Sequence, residues 1–209
     1  MIKMKYILFT LLLCSISNLM FAKIPAQISF SIGSISSNYA ESESSLESTD
    51  GTDNSANQPY SGTASSMPLD ISFEYFNKIS RSYFIKGTGP IMGSTPDRFF
   101  SVNIGTNFYF NQIGSQTVAD DTNVSITIQP KYRYYAGPQI GVGYLVYNTK
   151  SQTKNDVMVD LGGQVGAIYT INDKWGLRGQ LEFTRGIGAL ISSTTIKILL
   201  GSVYSLNID

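Results

Sequence analysis

Residues 131 to 147 read Lys-Tyr-Arg-Tyr-Tyr-Ala-Gly-Pro-Gln-Ile-Gly-Val-Gly-Tyr-Leu-Val-Tyr. The even positions (Tyr132, Tyr134, Ala136, Pro138, Ile140, Val142, Tyr144 and Val146) hold no charge and no amide. The odd positions, from Lys131 and Arg133 through Tyr135, Gly137, Gln139, Gly141 and Gly143 to Leu145 and Tyr147, are charged, polar, small or aromatic, with one leucine. Side chains alternate across a strand, so the pattern predicts one long strand with an apolar face and a polar, glycine-rich face. A tilted membrane-crossing strand needs about 9–11 residues, and this run is long enough. Pro138 is awkward within it, because proline donates no ladder hydrogen bond. A bulge or a broken ladder is expected at Gly137-Pro138.

Seven more segments carry the same alternation. Strands are expected over 26–37, 68–76, 81–91, 98–110, 157–171, from Trp175 into the low 180s, and over 193–206. In the fourth, Phe100, Val102, Ile104, Phe108 and Phe110 oppose Ser101, Asn103, Gly105 and Asn107. Val124, Ile126 and Ile128 share the parity of the 131–147 strand, which could therefore begin early. Between the first two strands lies a polar, acidic stretch, about 39–66, with Glu41, Glu43, Glu47, Asp50 and Asp53. It has almost nothing apolar to bury and is expected to be a surface loop. Asp50-Gly-Thr-Asp-Asn54 lacks the full spacing of a calcium loop, and no metal is assigned there.

Eight amphipathic strands also describe a soluble barrel with its apolar face inward. Three features favour lipid outside. In an up-and-down layout, the connections at one end are 38–66, 92–97, 148–156 and 185–192. Those at the other end are 77–80, 111–123 and 172–174. Short inner turns and longer outer loops are the membrane-barrel arrangement, from which 111–123 departs. The outward aromatics Tyr75, Tyr83, Phe108, Phe110, Tyr132, Tyr134, Tyr169, Trp175 and Tyr204 all fall near the inner ends, as an interfacial girdle would. The polar face mixes many glycines with charges of both signs, namely Asp70, Glu74, Asp160 and Glu182 against Lys86, Lys131, Arg133, Arg178 and Lys197. Glycine weakens a solvated strand, whereas a narrow lumen needs the room it leaves.

Composition narrows the chemistry. The 209 residues hold 15 basic and 15 acidic side chains, no histidine and one cysteine. That balance gives no electrostatic footprint for nucleic acid. The sole cysteine, Cys14, lies within a stretch that reads as a cleaved signal peptide over 1–22. Lys3 and Lys5 form its basic region, 6–13 its apolar core, and Phe21-Ala22 its small-residue end. The mature chain, 23–209, is then one domain. No later segment is apolar enough to cross a membrane as a helix, so a spanning chain must be a closed barrel.

On these strands the chain resembles the small eight-stranded outer-membrane barrels, such as the membrane domain of outer membrane protein A and the OmpX-like and opacity-like surface antigens. The resemblance covers the mature chain and is architectural. It implies an all-β, eight-stranded antiparallel up-and-down transmembrane barrel in the bacterial outer membrane. Gly201, Tyr204 and Leu206 resemble the glycine-x-x-aromatic-x-hydrophobic signal read by the barrel assembly machinery. Leu199 stands where a polar residue is usual, and the chain runs on through Asn207-Ile-Asp209. Barrel lipid A deacylases and palmitoyltransferases, the outer-membrane phospholipase and the omptin proteases rely on histidine, which this chain lacks. Their mechanisms are excluded as they stand, and no cofactor is expected.

An eight-stranded barrel has a lumen just wide enough for side chains to fill. The inward charges are therefore expected to be a salt-bridged plug. Glu182, Lys197 and Asp160 form its outer group, and Glu74, Lys131, Arg133 and Arg178 its inner group. The alternative is a narrow path through Lys86, Arg133, Gln164 and Arg178. The function expected is a structural or surface protein, embedded in outer-membrane lipid and displaying loops, with 39–66 as the element for an extracellular partner. A narrow pore or small-solute transporter is the first alternative, and a soluble secreted β-barrel binding protein the second.

Overall fold

A computed structural model describes residues 26–41, 60–78, 80–93, 97–110, 116–121, 124–128, 130–148 and 153–206. The predicted signal peptide, the middle of the acidic stretch and Asn207-Ile-Asp209 lie outside the described residues. Ten strands follow in order: β1 Ala26–Glu41, β2 Ser61–Lys78, β3 Arg81–Gly93, β4 Arg98–Tyr109, β5 Gln116–Asp121, β6 Val124–Ile128, β7 Tyr132–Asn148, β8 Thr153–Thr170, β9 Trp175–Gly188 and β10 Ile191–Leu206. Eight of them close into an antiparallel barrel in the order β1-β10-β9-β8-β7-β4-β3-β2. Closure pairs the first strand with the last, from Ala26↔Leu206 to Glu41↔Ile191, so neither terminal strand is left as a free edge.

The faces point the way a membrane requires. Outward residues such as Val102 (56% exposed) and Ile198 (62%) are apolar, and inward residues such as Asn103 and Lys197 are buried. The soluble alternative, with its apolar face inside, is overturned by this orientation.

Three differences from the predicted layout have physical reasons. The stretch 124–128 does not extend the next barrel strand. It pairs with 116–121 as a separate two-stranded hairpin at the inner end, with a register shift between Thr117 and Ala119. The connection predicted at 111–123 is therefore part of a hairpin excursion, and β4 pairs directly with β7 across it. Second, the strands run further outward than their apolar positions suggest. Tyr39 pairs with Gly62 and Ala40 with Ser61, so much of the predicted 39–66 loop is strand. The loop predicted over 185–192 is likewise mostly strand, leaving Ala189 and Leu190 as the turn. Outward residues there, such as Ser36, Asn38, Thr63 and Thr194, are polar because they stand above the apolar belt and meet water.

Third, the ladder is broken at three places, one of them between β1 and β2, where Ile32↔Leu69 and Ile35↔Ser66 flank an unpaired step beside Pro68. Between β4 and β7 the pairs Gly105↔Gln139 and Phe108↔Ala136 flank an unpaired step, with no shift of register. Pro138 sits in that step and has no N–H to offer. On the other side of β7 the ladder runs unbroken through Pro138↔Gly163. The expected defect is present and confined to one side. Between β3 and β4 the ladder stops at Thr88↔Ser101. Beyond it β3 continues to Gly93 paired only with β2, through Pro68↔Pro90 and Met67↔Met92. Pro90 cannot donate a further rung, so the wall is unstitched at the outer end of this seam.

Candidate functional site

The candidate site is the filled lumen together with the rim above it. The lumen is built in layers, because successive inward residues of every strand stack along the barrel axis.

The innermost layer is aromatic and aliphatic: Phe76, Tyr109, Tyr135, Ile168 and Val203. Above it, the Glu74 carboxylate is fully buried. It accepts hydrogen bonds from Gln27 Nε2 at 2.6 Å, Tyr109 OH at 2.7 Å, Asn107 Nδ2 at 2.8 Å and Ser82 Oγ. Arg178 Nη1 completes the set at 3.4 Å. The Arg178 guanidinium also donates to Tyr135 OH (2.6 Å) and Ser29 Oγ (3.2 Å). Its carbon lies 4.8 Å from the centre of the Tyr135 ring, a cation–π contact. Arg133 is also buried, and its Nη1 donates to Gln27 Oε1 at 3.3 Å.

The next layer centres on Glu182. Lys86 Nζ lies 2.6 Å and Lys197 Nζ 3.5 Å from its oxygens. Gln139 and Gln180 donate to the same carboxylate. Lys86 also donates to Gln164 Oε1 at 2.7 Å, and Gln164 Nε2 to Asn107 Oδ1 at 2.6 Å, which links the two charge layers. Asp70 accepts from Thr88 Oγ1 at 2.7 Å. Asp160 is different. It is buried, yet neither carboxylate oxygen has a hydrogen-bond partner. Side chains at Gly143 or Gly186 would run into its carboxylate, so those two glycines make its niche.

A second apolar layer seals the outer end, with Ile35, Tyr39, Ala64, Phe99, Leu145, Tyr147, Met158 and Ile191, and Tyr60 packed on top. The Tyr39 and Tyr147 rings are 5.2 Å apart, and Tyr60 stacks over Tyr147 at 6.2 Å. Polar groups fix this cap in place. Tyr39 OH donates to Asp97 at 2.8 Å, and Tyr60 OH to the Asn148 carbonyl at 2.7 Å. Asp156 accepts the N–H groups of Leu190 and Ile191, which holds the last outer turn. At the rim, Lys154 Nζ pairs with Glu41 at 2.8 Å. The Lys154 bond, with help from the Tyr60 N–H, holds the Glu41 carboxyl below the usual carboxylate range.

The structure thus brings together Asp70, Glu74, Lys86, Arg133, Asp160, Gln164, Arg178, Glu182 and Lys197 inside the lumen. Lys131 is a correction. It is exposed, and its ammonium lies 5.8 Å from the outward Tyr169 ring. Below the outer cap, where Asp97 and Asp156 are also buried, the lumen charges are four carboxylates (Asp70, Glu74, Asp160 and Glu182) against four cations (Lys86, Arg133, Arg178 and Lys197). Equal charge is what a closed, low-dielectric lumen requires. The nine aromatics Tyr75, Tyr83, Phe108, Phe110, Tyr132, Tyr134, Tyr169, Trp175 and Tyr204 all lie at the inner end and point outward. Tyr132 pairs with Tyr169 and Tyr204 with Trp175, with ring centres 5.2 and 4.8 Å apart.

Sequence reasoning missed the two apolar caps and the amides and hydroxyls that satisfy Glu74. Leu145, Tyr147 and Val203 on the inward parity were the available signal. The path imagined through Lys86, Arg133, Gln164 and Arg178 runs through buried, mutually bonded side chains with an apolar cap on either side.

No family model and no curated protein matches the sequence. Solved structures do match. The neisserial surface protein A, NspA, superposes with a TM-score of 0.51 at 14% identity, over 85% of this chain and 97% of that one. Ail, the attachment invasion locus protein of Yersinia pestis, gives 0.45 at 12%, over 87% and 99%. The N-terminal β-barrel domain of Pseudomonas aeruginosa OprF gives 0.43 at 11%, over 83% and 98%. At such identities the likeness is one of fold. The NspA superposition, with the closed wall and the outward apolar belt, makes this chain a small eight-stranded antiparallel β-barrel of the outer-membrane-protein fold.

Proposed function

We propose that the chain is a non-enzymatic surface protein, and that its barrel is a mount for the segment between β1 and β2. One observation carries this reading. The barrel wall continues well above the apolar belt on β1, β2 and β10, and that extension is packed from within by the Tyr39–Tyr60–Tyr147 cap. A wall whose only task was to cross lipid would not need it. The extension holds the two ends of 42–59 together, because the Glu41 N–H donates to the Tyr60 carbonyl at 2.9 Å. The acidic residues Glu43, Glu47, Asp50 and Asp53 are carried from that point. Contact with another cell, a surface or a neighbouring envelope component is the role that fits such a mount. Insertion into lipid would be guided by Gly201, Tyr204 and Leu206 on β10, read by the barrel assembly machinery.

The test replaces 42–59 by Asn-Gly, a two-residue turn suited to a hairpin of this hand. Heat-modifiable gel mobility should be unchanged, because the Glu41–Tyr60 rung remains. Attachment of expressing cells to one another, to cultured epithelial cells and to matrix-coated plates should fall to the level of cells lacking the protein. Attachment equal to the wild type on all three would sink the proposal. In planar bilayers the purified wild type should give no steady conductance steps. Their appearance would restore the pore reading.

A further inference from the structure

The seam where the β3–β4 ladder ends opens to the lipid side. A groove of about 750 Å3 runs along it, walled by Ile71 and Ile91 on one side and by Phe100, Val102, Val142 and Tyr144 on the other. Two glycines create it. A side chain at Gly87 would meet nothing within 4 Å, and Gly89 is covered only by the Phe100 ring. The floor is held from inside the barrel. Thr88 and Ser101 form the last rung, and Lys197 reaches across the lumen from β10 to donate to both hydroxyls, at 2.9 and 3.1 Å. The lumen therefore stays closed behind a wall that is open in front.

Height and charge say what fits. β4 runs inward from the outer surface, so Arg98 lies one outward-facing step above Phe100, at the top of the groove. It is exposed, and among the described residues no ion pair engages it. An apolar slot in the outer-leaflet half of the wall, crowned by a cation, matches an acyl chain joined to an anionic headgroup. We propose that this seam is a docking site for one acyl chain of a phosphorylated outer-leaflet lipid, lipid A, with its phosphate on Arg98.

A second depression on the wall, of about 560 Å3 around Gly163 and Phe183, is an internal control. It has a cation above it, Arg185, and although Gly137 and Pro138 line one side, the β7–β8 and β8–β9 ladders across its floor are intact. The full-length protein is placed in phosphatidylcholine nanodiscs with trace lipid A carrying a photoreactive group on an acyl chain. Crosslinks are then mapped by mass spectrometry. Labelling should concentrate on 87–91, 100–102 and 142–144 and exceed that at Gly163. Gly87→Leu, which fills the slot, should cut the seam signal by about tenfold. Val142→Phe on the lipid-facing wall should act in the same direction and keeps the test alive if Gly87→Leu does not fold. Arg98→Gln should lower the preference for labelled lipid A over equally labelled phosphatidylcholine by about fivefold. Even labelling around the belt, equal labelling at Gly163, or indifference to the seam variants would overturn the assignment.

Discussion

Glu74 and Asp160 are both sealed in the lumen, at 0% and 1% exposure, and they are treated in opposite ways. Glu74 receives donors from β1, β3, β4 and β9, one of them the Arg178 guanidinium. Asp160 receives none, and Ser193 Oγ, across Gly186 from it, is also without a partner. The cost of taking a carboxylate out of water is common to both. What differs is the residue type on the flanking inward positions. Around Glu74 these are Gln27, Ser82 and Asn107, each with a donor to give. Around Asp160 they are Gly143 and Gly186, which give room and nothing else. A buried charge in a narrow barrel is therefore stabilising or destabilising according to what its neighbouring strands supply.

The sharpest way to break this comparison is Glu74→Ala. It strands Arg178 without its carboxylate and leaves four neutral donors facing a void. Truncating one partner of a buried, bonded ion pair costs about 3–5 kcal/mol. Urea unfolding in detergent micelles, with gel mobility as a second readout, should show a loss of that size. A loss below about 1 kcal/mol would mean that the five hydrogen bonds do not hold the inner layer together.

Asp160→Asn should act in the other direction. It removes a charge that no donor bonds and that only Lys197 opposes through space, and the amide fits the same niche. A gain of about 1–2 kcal/mol is expected in the same unfolding measurement, within the range for relieving a buried unsatisfied group. A loss as large as that of Glu74→Ala would instead show that Asp160 has a strong partner in the membrane.

Much of this was legible in the chain itself, and the misses share a cause. Alternation shows which face a residue takes but carries no information on height. Lys131 has the parity of Arg133 and was grouped with it. It stands at the very end of the strand, where its carbonyl still accepts from the Thr170 N–H at 2.9 Å but its side chain lies out over Tyr169. Leu145 and Tyr147 have inward parity in an otherwise polar face because they lie above the charge layers, where the lumen is capped. A serine-rich end such as 61–66 reads as loop since neither face is apolar. It is strand whose outward face has left the lipid. Val124, Ile126 and Ile128 keep the parity of β7 across a turn, and parity alone could not separate a strand's beginning from a neighbouring hairpin. The proline effects were legible at Pro138, where a missing N–H has a local result. The gap at Pro90 was not, since it depends on which strand lies alongside.

A third carboxylate extends the comparison to a site where water is available. Glu41 at the outer rim accepts from Lys154 and from the Tyr60 N–H, so it is bonded like Glu74, but the Lys154 side chain is 35% exposed. If its group loses this pairing, water can replace it. Glu41→Gln should therefore cost no more than about 1 kcal/mol, in contrast to Glu74→Ala. The pH dependence has a definite sign. Lys154 depresses the Glu41 pKa in the folded protein below its ordinary 4.5. The unfolded chain then binds more protons through that window, so the contribution is fully present above about pH 4.5 and disappears as pH falls through the folded value. Comparing wild type with Glu41→Gln between pH 7 and pH 3 should show a small difference that closes toward the acid end. High salt should also shrink it, since an exposed pair is screened. A difference that grows on acidification, or that matches the Glu74 effect, would show that solvent access is not what separates the rim from the lumen.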